Sequence, residues 1–390
     1  MKKLVVFDSH PVQYRVPLWR EMEKEAPGAL HVVYASDCSV RGHSDKGFGQ
    51  NVSWDDPMLE GYQHSVLNCE KGVPLSGPDS LTGEGVAEKM EELKPEVVLL
   101  TGLNYKFDRV AYREARKRKI PVWLRCETQD EAVIRSKLKS ILRSFIYRFA
   151  YRGLSKAFYI GELNKQHYIR HGVANDKLCP ARYCTVDRFS GYTKEQKFAL
   201  KSAAKQKAGI AEDALVIGFS GKFIPKKDPG ILFRMVQQLP VQVRQKTHIY
   251  FIGSGELQNH LHDLARQVEE EDGVKTFFAG FVNQSELAAH YLAMDILVLP
   301  SRRMGETWGL VANESMQGGC AAVVSDAVGC SADFSAWERF RVFKEKDEKD
   351  LAAKINELSN YTINFDWAAG NLKAYSIESA AGALLKELKK

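Results

Sequence analysis

Glu306 and Glu314, eight residues apart in the stretch GETWGLVANES, are the side chains whose type and spacing most invite chemistry. An apolar run, AMDILVLPS, precedes them and a Gly-rich run, MQGGCAAVVS, follows, so they sit where a strand hands over to a helix. Were 306–314 wholly helical, the two carboxylates would lie ~12 Å apart along the axis. Acid–base pairs that cleave one glycosidic bond stand about 5–9.5 Å apart. The spacing suits two contacts to one extended ligand better than joint work on one bond. Carboxylates accept paired bonds from vicinal hydroxyls, the feature that ribose and hexose share. An ordinary surface glutamate near a helix N-terminus would account for Glu306. It suits Glu314 less well, because apolar Val311, Ala312 and Met316 surround it in the sequence.

Other loops after apolar runs add to the pattern. SGKFIPKKDP brings Lys222 and Lys227 near glycine and proline, GSGE contains Gly253 and Gly255, and RRMGETWGL contains Gly305 and Gly309. Lysines beside the N–H groups of a helix N-terminus make a diphosphate site. One glycine loop alone is turn geometry. Several on one sheet edge point to a nucleotide. In the first half, LRCETQDE offers Arg125, Glu127 and Asp130, and His10 follows the first strand. A His before proline is ordinarily a turn residue, but loops after strands also serve sites.

These loops need elements to hold them. A length of 390 residues suits two domains. The first half reads as strands KKLVVFD, LHVVYA, PEVVLLTG, IPVWLRCE and SKAFYIG alternating with helices such as VPLWREMEKEA, FDRVAYREARKRK and ELNKQHYIRHG. Residues 36–65 between them read as a polar loop. A Lys-rich link over 187–213 leads to a second alternation: LVIGFSGKF, helix GILFRMVQQL, THIYFIG, helix ELQNHLHDLARQVEE, VKTFFAGF, helix SELAAHYLAM, DILVLPS and CAAVVSD. Continuous Val/Ile/Leu strands alternating with amphipathic helices predict an α/β architecture of two Rossmann-like domains with parallel sheets. In such sheets ligands bind at the carboxyl ends of strands. The expected domains are 1–187 and 188–370, with a C-terminal helix in 371–390 packing back on the first domain.

With 44% hydrophobic and 27% charged residues the composition is that of a soluble globular protein, and no apolar run approaches the length of a membrane span. Seven cysteines without a C-x-x-C pair predict free thiols, a reducing cytoplasmic setting and no zinc site. The net charge of +6 is unevenly spread: Ala132–Gly161 contains no acidic residue but carries Arg135, Lys137, Lys139, Arg143, Arg148, Arg152 and Lys156. Ile134, Leu138, Ile141, Leu142, Phe145 and Phe149 recur there at helical spacing. The ordinary reading puts that apolar stripe in the core; the alternative lays 134–156 on an anionic membrane surface, peripheral to its cytoplasmic face. No nucleic-acid-binding motif accompanies the charge.

The C-terminal half resembles the retaining GT-B glycosyltransferases of the family-four group. The resemblance rests on the Glu-x7-Glu element Glu306 to Glu314, the loop GKFIPKK, and the run GFVNQSELAAHYLAMDILVLPS. KLCPARYCTVDRF is similar to the family's interdomain link, and SHPVQYRVPLWREM to the N-terminal segment of bacterial members that build surface polysaccharides. The resemblance implies a donor site in which Glu314 bonds the ribose and Glu306 the transferred sugar. Lys222 and Lys227 would hold the diphosphate with backbone N–H groups of Gly309, Leu310 and Val311. Gly221 and Gly253 would lie against the nucleotide, Gly253 by letting the backbone approach, and the base would lie near Phe281 and Val282. Many members place a catalytic His after an N-domain strand; Glu127 and His10 are the candidates here. The implied reaction is metal-independent retaining transfer from a nucleoside diphosphate sugar to a glycan or lipid-linked acceptor, with no metal and no further cofactor. A sugar-nucleotide epimerase or a non-catalytic nucleotide-sugar-binding subunit are the alternatives. A dinucleotide dehydrogenase is disfavoured, for no G-x-G-x-x-G follows a strand with an acid ~20 residues on.

Overall fold

The computed structural model describes residues 2–41, 43–45, 50–52, 56–71, 75 and 77–390. Apolar runs become buried parallel strands, as their continuity predicts. In the first domain these are β1 (Leu4–Asp8), β2 (Leu30–Tyr34), β5 (His64–Val66), β6 (Val97–Leu100), β7 (Val122–Leu124), β8 (Leu154–Tyr159) and β9 (Leu178–Pro180). They form one sheet in the order β5-β2-β1-β6-β7-β8-β9. The stretch expected as a polar loop instead contains a short antiparallel pair, β3 (His43–Asp45) with β4 (Gln50–Val52), and the edge strand β5. Residues 42, 46–49 and 53–55 of that stretch lie outside the described residues.

The second sheet holds β10 (Leu215–Ser220), β11 (Thr247–Ile252), β12 (Thr276–Phe278), β13 (Ile296–Leu299), β14 (Ala321–Ser325) and β15 (Phe340–Phe343). Its order is β12-β11-β10-β13-β14-β15. In both sheets the chain first runs to one side and then returns past its starting strand. That reversal opens a crevice at the carboxyl ends of β1 and β6, and of β10 and β13, where α/β sheets take their ligands.

The helix Ile377–Leu388 returns to the first sheet. Its Ala380, Ala381, Leu384 and Leu385 share a core with Leu4, Val6, Trp19 and Met22. The expected helix over 230–239 is broken into Ile231–Arg234 and a tight turn, Val236–Gln238. Leu239 is held extended, as the residue before Pro240 must be.

The basic helix forms as Lys137–Tyr151, with the Ser136 hydroxyl capping its first turn by accepting from the N–H of Lys139. Its apolar stripe is not in the core, which corrects the ordinary reading. Leu138 is 77% exposed, Phe145 68% and Phe149 78%, while Tyr151 is the one buried side chain of that helix. A 3.6-residue period gives the stripe but carries no information on what covers it. All seven cysteines are free. No described helix is long and apolar enough to cross a membrane.

Candidate active site

The loop after β10, SGKFIPKKDP, is stitched to the loop after β13. The N–H of Arg302 donates to the carbonyl of Lys226 at 2.8 Å, and the Arg302 guanidinium meets buried Asp228, which also takes Arg234. The loop after β13 is in turn tied to the first domain. Gly305 N–H donates to the carbonyl of Ala132 at 2.8 Å, and Val133 pairs with Met304 as an isolated antiparallel bridge. Backbone bonds thus bring LRCETQDEAV, GKFIPKK and RRMGETW together.

At their junction the Lys227 ammonium lies 2.5 Å from the Glu306 carboxylate, which also accepts from the Ser301 hydroxyl at 2.9 Å. The Lys226 ammonium donates to the carbonyl of Gly305 at 2.9 Å. Burial pushes the Glu306 carboxyl up, but the charges of Lys227 and Lys226 and the bonds from Lys227 and Ser301 outweigh it, leaving it below the usual range. Lys226 is lowered, first by burial and then by the charges of Lys227 and Lys222, against the pull of Glu306. Two ammonium groups, those of Lys227 and Lys226, therefore act on one buried carboxylate, a balance that favours added negative charge. Glu127 reaches the same place from the first domain. It accepts from the Tyr183 hydroxyl at 2.6 Å and from the Thr307 hydroxyl at 3.3 Å.

The helix carrying Glu314 begins at Leu310, so 306–309 is not helical and the 12 Å estimate does not apply. Gly309 caps it with φ +103, and a Cβ there would stand 2.6 Å from Leu299. Only glycine lets the chain turn from the Glu306 loop into that helix at this position. Leu310 and Val311 open its first turn, where backbone N–H groups lack intrahelical acceptors.

Beside it a cavity of about 90 Å³ is lined by Gly221, Gly253, Phe281, Val282, Val311 and Glu314. All six of these were expected at a nucleotide. Gln13 and Tyr14 enter this cavity from the first domain. The Tyr291 hydroxyl donates to Glu314 at 2.7 Å, and Tyr14 bonds the same carboxylate. Gly253 has a further role: a Cβ on it would sit 1.9 Å from the carbonyl oxygen of Gly221, at φ +131. Gly253→Ala should destabilise the protein by about 2–4 kcal/mol in a urea titration; a loss below about 0.5 kcal/mol would mean the two loops are not in contact.

Burial pushes the Glu314 carboxyl up to about 7, although bonds from Tyr291 and Tyr14 and the charge of Arg188 pull it down. Because the folded value lies above the unfolded one, the stabilisation is full at low pH. It is lost as pH rises from about 4.5 through about 7. Gln at this position keeps an acceptor for Tyr291 and does not titrate. Thermal melts should find Glu314→Gln no more stable than the parent at pH 5 and more stable at pH 8. Each pKa unit is worth ~1.4 kcal/mol, so the gain is at most about 3 kcal/mol. Equal melting differences at both pH values would contradict a buried, titrating Glu314.

Other expected residues stand elsewhere. Arg125 donates to the carbonyls of Ala181 and Arg182 at 3.1 Å, bracing the interdomain link. Asp130 is drawn away by His167 at 2.9 Å, Arg170 at 3.0 Å and His171 at 3.3 Å. His10 stands beside the Ser9 hydroxyl at 3.0 Å, next to buried Asp8, which holds Arg15 and the Thr101 hydroxyl. Lys222 follows Gly221 at the mouth of the same loop, within electrostatic reach of Lys226.

The sequence reading missed Lys226, Tyr14, Gln13, Ser301, Thr307, Tyr183 and Tyr291. Lys226 and Tyr291 lie inside GKFIPKK and GFVNQSELAAHY, and Tyr14 inside SHPVQYR, so the signal was present without a role attached.

Against solved structures the whole chain superimposes on Anabaena HepE in complex with UDP, at TM-score 0.72 and 15% identity over 99% of both chains. It also superimposes on a glycosyltransferase of Rickettsia africae at TM-score 0.68 and 14% identity, covering 100% of this chain and 98% of that one. The fold is that of the GT-B glycosyltransferases. Residues 201–364, which carry β10 to β15, match the family model described as Glycosyl transferases group 1. A D-inositol 3-phosphate glycosyltransferase of Stackebrandtia nassauensis is 31% identical over 166 residues, 40% of this chain and 37% of the relative. A second, from Catenulispora acidiphila, is 36% identical over 163 residues, 40% of this chain and 37% of the relative. The chain thus spans little more than a third of the length of these curated relatives.

Proposed function

We propose that the protein is a retaining, metal-independent glycosyltransferase that moves a sugar from a nucleoside diphosphate sugar to a glycan or lipid-linked acceptor. The observation that carries this reading is that the loop after β10 and the stretch 305–317 each contribute both to the Glu314 cavity, through Gly221 and Val311, and to the cluster of Glu306 with Lys226 and Lys227.

Breaking a glycosyl–phosphate bond develops positive charge on the anomeric carbon and negative charge on the departing diphosphate. Lys222, Lys226, Lys227 and the first turn of Leu310–Gln317 would stabilise that diphosphate, and preorganised charge of this kind is usually the largest catalytic contribution. Glu306 would hold hydroxyls of the transferred sugar, and Glu314 the ribose. Phe281 and Val282 would flank the base. The acceptor would attack from the leaving-group side, its proton passing to the diphosphate oxygen, which keeps the anomeric configuration. Glu127, anchored by Tyr183 and Thr307, stands where it can orient the acceptor; His10 is the other candidate.

A role in surface-polysaccharide synthesis is supported by the likeness of SHPVQYRVPLWREM alone. The names of the curated relatives raise a phosphorylated acceptor, but the family match lies in 201–364, the donor side. The experiment is proton NMR of product formed from a nucleoside diphosphate sugar in EDTA. Retained configuration with undiminished rate supports the reading. Inversion, or loss of activity in EDTA, sinks the corresponding half of it.

A further inference from the structure

A cavity of about 510 Å³ runs between the helix Lys106–Lys117 and the basic helix Lys137–Tyr151, within the size range of ligand pockets. Its walls are largely apolar, with Leu103, Leu142, Ile146 and Phe149 among them. Four cations, Arg109, Arg113, Lys139 and Arg143, share the lining. Arg143 reaches Asp130 only at 3.8 Å, Arg109 meets the exposed Asp79 at 3.3 Å, and no acidic residue occurs between Ala132 and Gly161. Cys126 and Thr128 also line the cavity, and they flank Glu127, whose carboxylate meets Thr307 beside Glu306. The groove therefore lies on one side of the segment 126–128, and the Glu127 contact with Thr307 lies outside its lining. The groove ends under a helix whose outer face exposes Leu138, Ile141, Phe145 and Phe149.

We propose that this groove holds the apolar chain of one anionic lipid, a lipid phosphate that is the sugar acceptor, with its phosphate on the four cations. The inference rests on the transferase reading and names its acceptor class. An apolar slot with an all-cationic rim complements a chain bearing a phosphate, and the exposed apolar face lies flat on the anionic bilayer that supplies the lipid. The phosphate carries a hydroxyl-bearing headgroup, which passes round the segment 126–128 to bring that hydroxyl to Glu127. Its oxygen bonds the anomeric carbon as the bond from that carbon to the diphosphate oxygen breaks, and its proton leaves with the diphosphate.

The test is calorimetric titration of the full chain with farnesyl phosphate, farnesol and inorganic phosphate, below the micellar concentration. The parent should bind farnesyl phosphate at least tenfold more tightly than either fragment. Ala150→Trp, which fills the slot, and Arg113→Glu, at its rim, should each weaken it at least fivefold while the melting shift with nucleoside diphosphate is unchanged. No preference for farnesyl phosphate, insensitivity to both variants, binding only to phosphatidylglycerol vesicles, or self-association through this face would overturn the proposal. A nucleotide shift without farnesyl phosphate binding defeats the groove alone. Farnesyl phosphate binding without a nucleotide shift defeats the donor reading.

Discussion

Glu306→Gln should lower the turnover of sugar transfer by about 10²–10³-fold and leave nucleoside diphosphate affinity within a few fold. The variant keeps the shape and one acceptor oxygen while removing the charge that Lys227, Lys226 and Ser301 now satisfy. In the free protein that carboxylate neutralises the cations; on the proposed reading the diphosphate of a bound donor would take that part and Glu306 would turn to the sugar. Affinity for the nucleotide alone then depends little on Glu306, whereas the reacting sugar depends on it heavily. Steady-state rates together with titration of the sugar-free nucleotide check the split. Equal losses in both would make Glu306 a nucleotide ligand rather than a sugar ligand.

Lys227→Met should cost a similar 10²–10³-fold in turnover if, as proposed, its charge stabilises the leaving diphosphate. Here binding should fall as well, and selectively. Affinity for the nucleoside diphosphate should drop about tenfold or more, while affinity for the monophosphate, which lacks the outer phosphate, changes little. The change also leaves Glu306 buried with Lys226 as its remaining ammonium neighbour, a loss of stability by the logic of broken ion pairs. Combined with Glu306→Gln, the two effects should be well short of additive, since the side chains touch at 2.5 Å. Additive losses would show that the pair does not act as one unit.

Much of the cavity around Glu314 was legible in the sequence. Continuous apolar runs fixed parallel strands, and parallel strands put Gly221, Gly253, Phe281, Val282, Val311 and Glu314 on one edge, where they share a cavity. What sequence could not give was contact across domains. Tyr14 and Gln13 reach Glu314's cavity, and Glu127 reaches Thr307, through the relative placement of two sheets, which no local period encodes. Lys226 had no role in the sequence reading; the loop's path sets its ammonium on the Gly305 carbonyl and that of Lys227 on Glu306. The basic helix was legible as a helix but not as an exposed one, for the same stripe serves a core or a bilayer. Asp130, offered beside Glu127 in LRCETQDE, has partners that its own stretch does not reveal, because His167, Arg170 and His171 lie on a later helix and its C-terminal turn.

The measurement that bears most directly on the account is calorimetric titration of UDP, GDP, ADP and CMP, in EDTA, into the parent chain and Glu314→Ala. We predict that one nucleoside diphosphate binds the parent without metal, and at least tenfold more weakly the variant, which has lost charge-assisted bonds to ribose. Binding of none of them, or equal binding to both proteins, would contradict a donor nucleotide in the Glu314 cavity.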